Sequence, residues 1–491
     1  MDNKQNTNWP IIRIQKIVLE NFKGVTYGEI VLNGGRSTSS QDDGPDILGI
    51  YGQNGSGKTA VIDALSILAS VMSGNPLEPK CSDLISQGAD YSKLSFTFDF
   101  RFPKDNKTQT VIYSFKLGYL PDDEYTDYRL LYYGKSLGQD LTDFFTSESK
   151  YYRKVRIFDE VLSAGGDFLG RTQKMQDILT SSGDFFPIGP VRKTSYYIGN
   201  KKEKLRVELE VNKRTAYKTS RSFFFCLETL DLFRENSGDS EYFALMVQLI
   251  WYAVNSLYVV NGSMSDLSGT PSAIWFCTNK GVPVVNLTGE PSVMPQAAFE
   301  RLDQIIDEIN VVLPALVSGL KIVTEHTPVS FKDEKKQEVR LYSDRNGCRI
   351  PLRSESAGLV RIISILSLII SAYNDESITV AIDELDAGIY EYLLGELLSI
   401  LETYGKGQFI FTSHNLRPLE VLKKQNIIFT TANPENKYIR LKGVGHTNNL
   451  RKLYLDEIKS NDQDEVIYDA AKRQRMNAAF LRAGEKHGEE K

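Results

Sequence analysis

Eight consecutive residues, Gly52-Gln-Asn-Gly-Ser-Gly-Lys58-Thr59, have the spacing G-x-x-x-x-G-K-[ST]. The chemistry such a run can do is to hold phosphate. Gly52, Gly55 and Gly57 permit a tight loop in which the backbone N–H groups, those of Asn54 and Ser56 among them, turn inward on an anion. Lys58 brings a point charge to the β- and γ-phosphates of a nucleotide, and the Thr59 hydroxyl is a ligand for Mg2+. The apolar run Asp46-Ile-Leu-Gly-Ile-Tyr51 leads straight into the first glycine, and Val61, Leu65, Leu68 and Met72 follow at helical spacing. Strand, glycine loop, helix is the order that aims a helix's positive N-terminal end at the phosphates.

The other half of such a site needs acids at the end of a second strand. Thr379-Val-Ala-Ile-Asp383-Glu384 supplies them. Asp383 is expected to hold Mg2+ through water, and Glu384 to orient and polarise the attacking water. Some thirty residues on, Phe409-Ile-Phe-Thr412-Ser413-His414-Asn415 is another apolar run that ends in small polar residues and a histidine. At the edge of the next strand, His414 is expected to sense a γ-phosphate. Ser354-Glu-Ser356-Ala-Gly358 precedes an apolar helical stretch, which Ser356 is placed to cap. No N-K-x-D guanine-reading motif follows the acids, so the expected cofactors are ATP and Mg2+.

The elements that must position these residues read as alternating α/β. Ile11–Leu32 reads as two strands, and Lys93–Phe102 with Thr110–Leu117 as a hairpin of alternating apolar and polar residues. A strand at Glu338–Tyr342, a helix at Gly358–Ala372, a strand at Ile378–Ile382, a helix at Tyr390–Thr403 and a strand at Gln408–Thr412 follow, as a parallel sheet requires. The expected organisation is an N-terminal half of a nucleotide-binding head over 1–120, a mixed α+β insert over 121–324, the second half of the head over 325–445, and a short helical tail over 446–491.

The chain has 491 residues, of which 41% are apolar and 25% charged, the balance of a protein with real cores. A net charge of −5 excludes a surface built throughout to wrap nucleic acid. One stretch, Lys201–Arg221, is locally basic and could follow a phosphate backbone, or else form a solvated hairpin face. Cys81, Cys226, Cys277 and Cys348 are scattered with no C-x-x-C pair, so neither zinc nor a disulfide framework is expected. The first residues have no apolar core of a signal peptide, and Ile362–Ala372 is too short to span a bilayer. Phe243–Val260 carries Gln248 and Asn255 and reads as a buried helix running into a strand. A cytoplasmic protein without membrane contact is expected.

Taken together, the constellation resembles the ABC-type ATPase heads of RecF, SMC and OLD-type proteins, and the stand-alone bacterial ATPases of that group linked to abortive infection and phage defence. Leu19-Glu-Asn-Phe-Lys-Gly24 is similar to the strand that opens these heads, and Gly57-Lys-Thr-Ala-Val-Ile-Asp-Ala-Leu65 to their P-loop helix. Ser354–Gly358 stands where their signature motif stands, and Asp383-Glu-Leu-Asp386 with Thr412-Ser-His414 is similar to their Walker B and switch histidine. The resemblance implies a P-loop NTPase with a two-lobed head that hydrolyses ATP. It also implies a homodimer or higher homo-oligomer, in which Ser356 and Gly358 bind the γ-phosphate held by a second subunit. It departs in two places: the signature reads SESAG, and the usual D-loop aspartate is missing, so that Tyr390 or Glu391 could contribute instead. Gln87 and Gln139 are both candidates for the Q-loop. Too few residues follow the last strand for a Toprim nuclease. The implied role is control of a separate effector, a nuclease or toxin, in phage defence. The alternatives are a RecF-like ATPase that binds DNA in repair, and a nucleotide-gated scaffold with little turnover.

Overall fold

The computed structural model describes residues 9–32, 46–105, 107–120, 153–168, 171–181, 202–237, 241–261, 273–275, 284–287, 291–331, 334–441, 450–460, 467 and 473–485. Two six-stranded sheets dominate it. The first is antiparallel, in the order β2-β1-β4-β5-β6-β7, with β1 Ile11–Phe22, β2 Val25–Val31, β4 Tyr91–Phe102, β5 Lys107–Tyr119, β6 Val155–Phe168 and β7 Arg171–Thr180. Alternation builds it: Leu94, Phe96, Phe98 and Phe100 of β4 point to one buried face while Lys93, Ser95 and Thr97 between them are partly exposed.

The second sheet runs β18-β17-β3-β16-β15-β8, with β3 Asp46–Tyr51, β8 Leu257–Val260, β15 Thr379–Ile382, β16 Gln408–Thr412, β17 Ile427–Thr430 and β18 Tyr438–Ile439. All its pairings are parallel except β17 with β18. Its central strands are covered on both faces and are mainly apolar, with polar Asp46, Gln408 and Thr412 at their ends, β3 and β16 being buried at every position. Between the two sheets lies helix α1, Lys58–Met72, with 13 of its residues buried. It shares one core with β1, β4 and the adjoining face of the second sheet through Leu48, Ile50, Ala381 and Ile410.

Helices α2 (Lys202–Lys218), α3 (Leu227–Ser237) and α4 (Glu241–Asn255) complete that side, α4 passing into β8 as the apolar run at 243–260 predicts. The other face of the second sheet carries α5 (Gln296–Leu316), α6 (Ala357–Asn374) and α7 (Glu391–Tyr404) in a second core. Two small sheets stand beside it: β9 (Ala273–Trp275) with β10 (Val284–Asn286), and β11 (Ser292–Pro295), β12 (Leu320–Phe331), β13 (Glu334–Arg345) and β14 (Cys348–Pro351). Short α8 (Pro418–Val421), α9 (Leu450–Ser460) and α10 (Arg473–Glu485) follow.

Two expectations change. The segment 121–324 is interleaved with the head instead of standing apart, because β6 and β7 extend the first sheet and β8 completes the second. The basic stretch at 201–221 is helical over Lys202–Lys218, not a hairpin, and Val207 and Val211 are exposed on it. Helix α6 is, among the described residues, the one helix long and apolar enough to cross a membrane, and most of it is buried inside the fold.

Where β6 meets the α2–α3 connection, Glu160 is fully buried. It accepts hydrogen bonds from Tyr113 Oη (2.7 Å), Ser222 Oγ (2.5 Å) and the Phe223 N–H (2.8 Å). Burial still outweighs these donors and raises the carboxyl above the ordinary 4.5. A raised acid stabilises the fold while it keeps its proton, and that contribution is lost as pH rises through the raised value. Glu160→Gln, which mimics the protonated form, is therefore expected to flatten the fall in melting temperature as pH rises above about 4.5. Parallel pH–melting curves for the two proteins would contradict this.

Candidate functional site

The glycine loop follows β3 without an intervening residue, and its geometry explains two of its glycines. A Cβ on Gly52 would stand 1.7 Å from Thr430 Oγ1, and Gly57, with φ 101°, is the left-handed N-cap of α1. Thr430 also bridges the loop to β17: its hydroxyl lies 2.5 Å from Ser56 Oγ and donates to the Tyr51 carbonyl at 3.2 Å. Lys58 is folded back over the loop, donating to the carbonyls of Gly52 (2.9 Å) and Gln53 (3.0 Å). Burial lowers its pKa, and the charges of Asp383, Glu384 and Asp386 oppose that shift. These three acids place negative charge beside the ammonium.

Parallel pairing of β15 with β16, and of β16 with β3, brings the ends of all three strands to one edge. There Thr59 Oγ1 is 3.4 Å from Asp383 Oδ1, and Thr412 Oγ1 donates to the same oxygen at 2.5 Å. The Thr412 hydroxyl also accepts the Glu384 N–H at 2.8 Å. Glu384 is exposed and has φ 47°, an unusual conformation for a residue with a side chain. Asp386 accepts N–H bonds from His414 (3.2 Å) and Asn415 (3.0 Å), which ties the turn after β15 to the turn after β16. His414 is exposed and shares with Gly52, Gln53, Asn54 and Tyr454 a cavity of about 360 Å3.

The residues expected to hold the triphosphate and its ion, 52–59 with Asp383, Glu384 and His414, are thus assembled at one place. The donor set fits a magnesium nucleotide. Among the described residues no group of three or more His, Cys, Asp or Glu is poised to cage a metal. Mg2+ in such a site takes a hydroxyl, phosphate oxygens and water, and Thr59 with Asp383 beyond it offers that arrangement.

Ser356 and Gly358 stand apart from it. Ser356 caps α6, its hydroxyl accepting the Leu359 N–H at 3.3 Å, and is exposed. Gly358 is pressed against the 386–390 turn so closely that a Cβ would lie 2.2 Å from the Gly388 carbonyl. No hydrogen bond among the described residues links either one to residues 52–59. Tyr390 is exposed at the N-cap of α7 without a side-chain cap bond, and Glu391 is exposed beside it. Gln87 lies exposed in the turn before β4 and Gln139 lies outside the described residues.

Four participants escaped the sequence reading. Thr412 and Asp386 were in view only as neighbours of the motif residues. Arg361, on the first turns of α6, is buried and donates to the Asp383 carbonyl at 2.9 Å. Tyr454 of α9 reaches the cavity wall and stacks on Phe429 with ring centroids 4.9 Å apart. Helical spacing marks Arg361 as a charge on an otherwise apolar helix, the one signal that was available. Nothing marks Tyr454.

Residues 16–224 match the model of an AAA domain family, AAA_23. No curated protein matches the chain. Among solved structures it is similar to the Smc head domain of Pyrococcus furiosus bound to the C-terminal domain of ScpA, at 13% identity and TM-score 0.37, over 91% of this chain and all of that one. It is similar also to the SMC head domain of Thermotoga maritima, at 12% identity and TM-score 0.34, over 88% of this chain and 99% of that one. The recombination mediator RecF, solved with a nucleotide analogue, gives 10% identity and TM-score 0.35, over 88% and 98%. The match over 16–224 is to an AAA domain, and the glycine loop, paired acids and histidine stand on one parallel edge, the arrangement of a P-loop NTPase fold.

Proposed function

We propose that the protein binds Mg-ATP at residues 52–59, hydrolyses it, and does so between two copies of itself. The observation that carries the reading is the meeting of Thr59, Thr412 and Asp383 Oδ1. A hydroxyl and a carboxylate, from elements more than three hundred residues apart, converge beside a lysine on a phosphate loop. Bound Mg-ATP supplies the transferable phosphoryl group and a counter-ion for its charge. Lys58 exchanges its loop carbonyls for β- and γ-phosphate oxygens. Asp383 stays fixed by Thr412 and orients the ion's water. Glu384 takes the proton of the attacking water, and His414 donates to the terminal phosphate.

Ser356 and Gly358 complete the site of the other copy. The exposure of Ser356, and the absence of a bond among the described residues from either one to the chain's own glycine loop, support a role in trans. A second subunit's phosphate at Ser356 would press on Gly358, and through Gly388 on the turn that Asp386 ties to His414. Ser356→Arg is expected to leave nucleotide binding by a single copy intact and to abolish ATP-dependent dimers in sedimentation. Dimers as abundant as those of the unaltered protein would reject the trans role.

The biological reading is control of a separate effector, a nuclease or toxin, in phage defence. It rests on the likeness of Leu19–Gly24 and Asp383–Asp386 to ATPases of that kind. DNA binding in repair is the less favoured reading, since exposed Val207 and Val211 stand among the charged residues of α2. Hydrolysis that is indifferent to DNA at low salt separates the two.

A further inference from the structure

Among the described residues, no side chain partners the mostly covered lysine Lys437. Lys437 closes the β17–β18 return, immediately before β18, where its carbonyl accepts the Thr431 N–H at 2.9 Å. It is 6% exposed. Its aliphatic stem crosses the face of Gly57: a Cβ there would be 3.6 Å from Lys437 Cγ and 3.1 Å from Cε. The next residue, Tyr438, donates to the Gly57 carbonyl at 2.9 Å, which fixes the hairpin against the loop. The ammonium, one bond beyond Cε, therefore ends beside the glycine loop.

No carboxylate pairs with it among the described residues, and burial alone lowers its pKa. Lys58 differs, having three acids around it. A largely enclosed cation without a counter-ion is unfavourable, more so beside the positive N-terminal end of α1. Two positive features facing one another in this way are compatible with an anion between them and are unfavourable without it.

Strand order says which part of a nucleotide that anion would be. β15 and β16, with Asp383, Glu384 and His414, lie on one side of β3, whereas β17 and β18 lie on the other. The terminal phosphate belongs with the acids and the histidine. Lys437 faces the loop from the opposite side, where the inner phosphates lie.

We propose that Lys437 is a further nucleotide-binding residue, contributing its ammonium to the inner phosphates of a nucleotide held by residues 52–59. The proposal rests on the reading of 52–59 as the nucleotide site. Because the inner phosphates are common to ATP and ADP, Lys437 supports both alike and takes no part in the hydrolytic step. It is a residue that weakens the empty protein and strengthens the loaded one.

The test is calorimetric titration of the full chain with Mg-ATP and with Mg-ADP, using the unaltered protein, Lys437→Met, Lys437→Arg and Lys58→Met. Lys437→Met is expected to weaken both nucleotides by the same factor, about ten- to thirtyfold, as befits one charge-assisted bond. Lys437→Arg should recover most of the affinity. The melting temperature of nucleotide-free Lys437→Met should equal or exceed that of the unaltered protein, since an unpaired buried charge has gone. Unchanged affinity for both nucleotides, whatever the melting temperature, would make Lys437 a cover for Gly57 and overturn the proposal. So would a loss confined to ATP, which would move the lysine to the terminal phosphate. If the unaltered protein binds neither nucleotide while folding normally, the reading of 52–59 itself fails.

Discussion

Glu384→Gln is expected to bind Mg-ATP as the unaltered protein does and to hydrolyse it about 10²–10⁴-fold more slowly, the range that a positioned general base contributes. The substitution keeps the size and shape of the side chain and removes its ability to take a proton. The backbone needs nothing from the carboxylate: the residue's N–H is held by Thr412, and its side chain is exposed at the mouth of the site. Folding and nucleotide affinity should therefore be preserved. If the site closes between two copies, ATP-bound dimers should accumulate in the variant, because the step that would release them is slow. Single-turnover measurement of phosphate release separates this slowing from a binding defect. Turnover at the unaltered rate would remove Glu384 from the chemistry and leave Asp383 to be tested in its place.

How much of this site could be read from the sequence depends on how far each residue's role is local. The form of the glycine loop was legible, because it is set by eight adjacent residues and the elements on either side. Asp383, Glu384 and His414 were legible because a strand that ends in polar residues places them at a sheet edge, and parallel pairing then does the rest. Thr412 was visible only as a small polar residue. Its two bonds, one to Asp383 and one to the Glu384 N–H, exist because β15 and β16 end in register, and register is a property of the pair. Asp386 and Arg361 were missed for the same reason: each acts on the backbone of a distant turn. The division of the chain was the least legible feature. Residues 155–180 and 257–260 join sheets begun by strands far earlier in sequence, and no local pattern in β6, β7 or β8 names its neighbour. The hairpin expected in the basic stretch gave way to helix α2, where charged residues sit on a helical surface as readily as on a strand.

Gln408→Leu is expected to destabilise the protein by about 3–5 kcal/mol, although Gln408 touches no part of the site. Gln408 begins β16 and is fully buried. Its side-chain amide donates to the Ile14 carbonyl at 2.8 Å and to Asp46 Oδ2 at 2.6 Å, and its oxygen accepts the Ile14 N–H at 3.1 Å. Ile14 lies where the register of β1 with β4 shifts, and β2 pairs with β1 only from Lys16 onward. Its backbone groups thus meet no strand on that side, and the glutamine amide takes the place of one. Leucine has nearly the same volume, so little cavity is created and the loss is one of hydrogen bonds. The Ile14 N–H and C=O lose their partner in an interior that admits no substitute, at about 1–3 kcal/mol for each. The thermal midpoint should fall by on the order of 10 °C. This bond set joins the antiparallel sheet to the parallel one, so its loss loosens β1 and β2 over the glycine loop, and saturating Mg-ATP should restore part of the midpoint. A shift equivalent to less than about 0.5 kcal/mol would mean that water replaces the amide, and that other contacts between the two sheets hold them together.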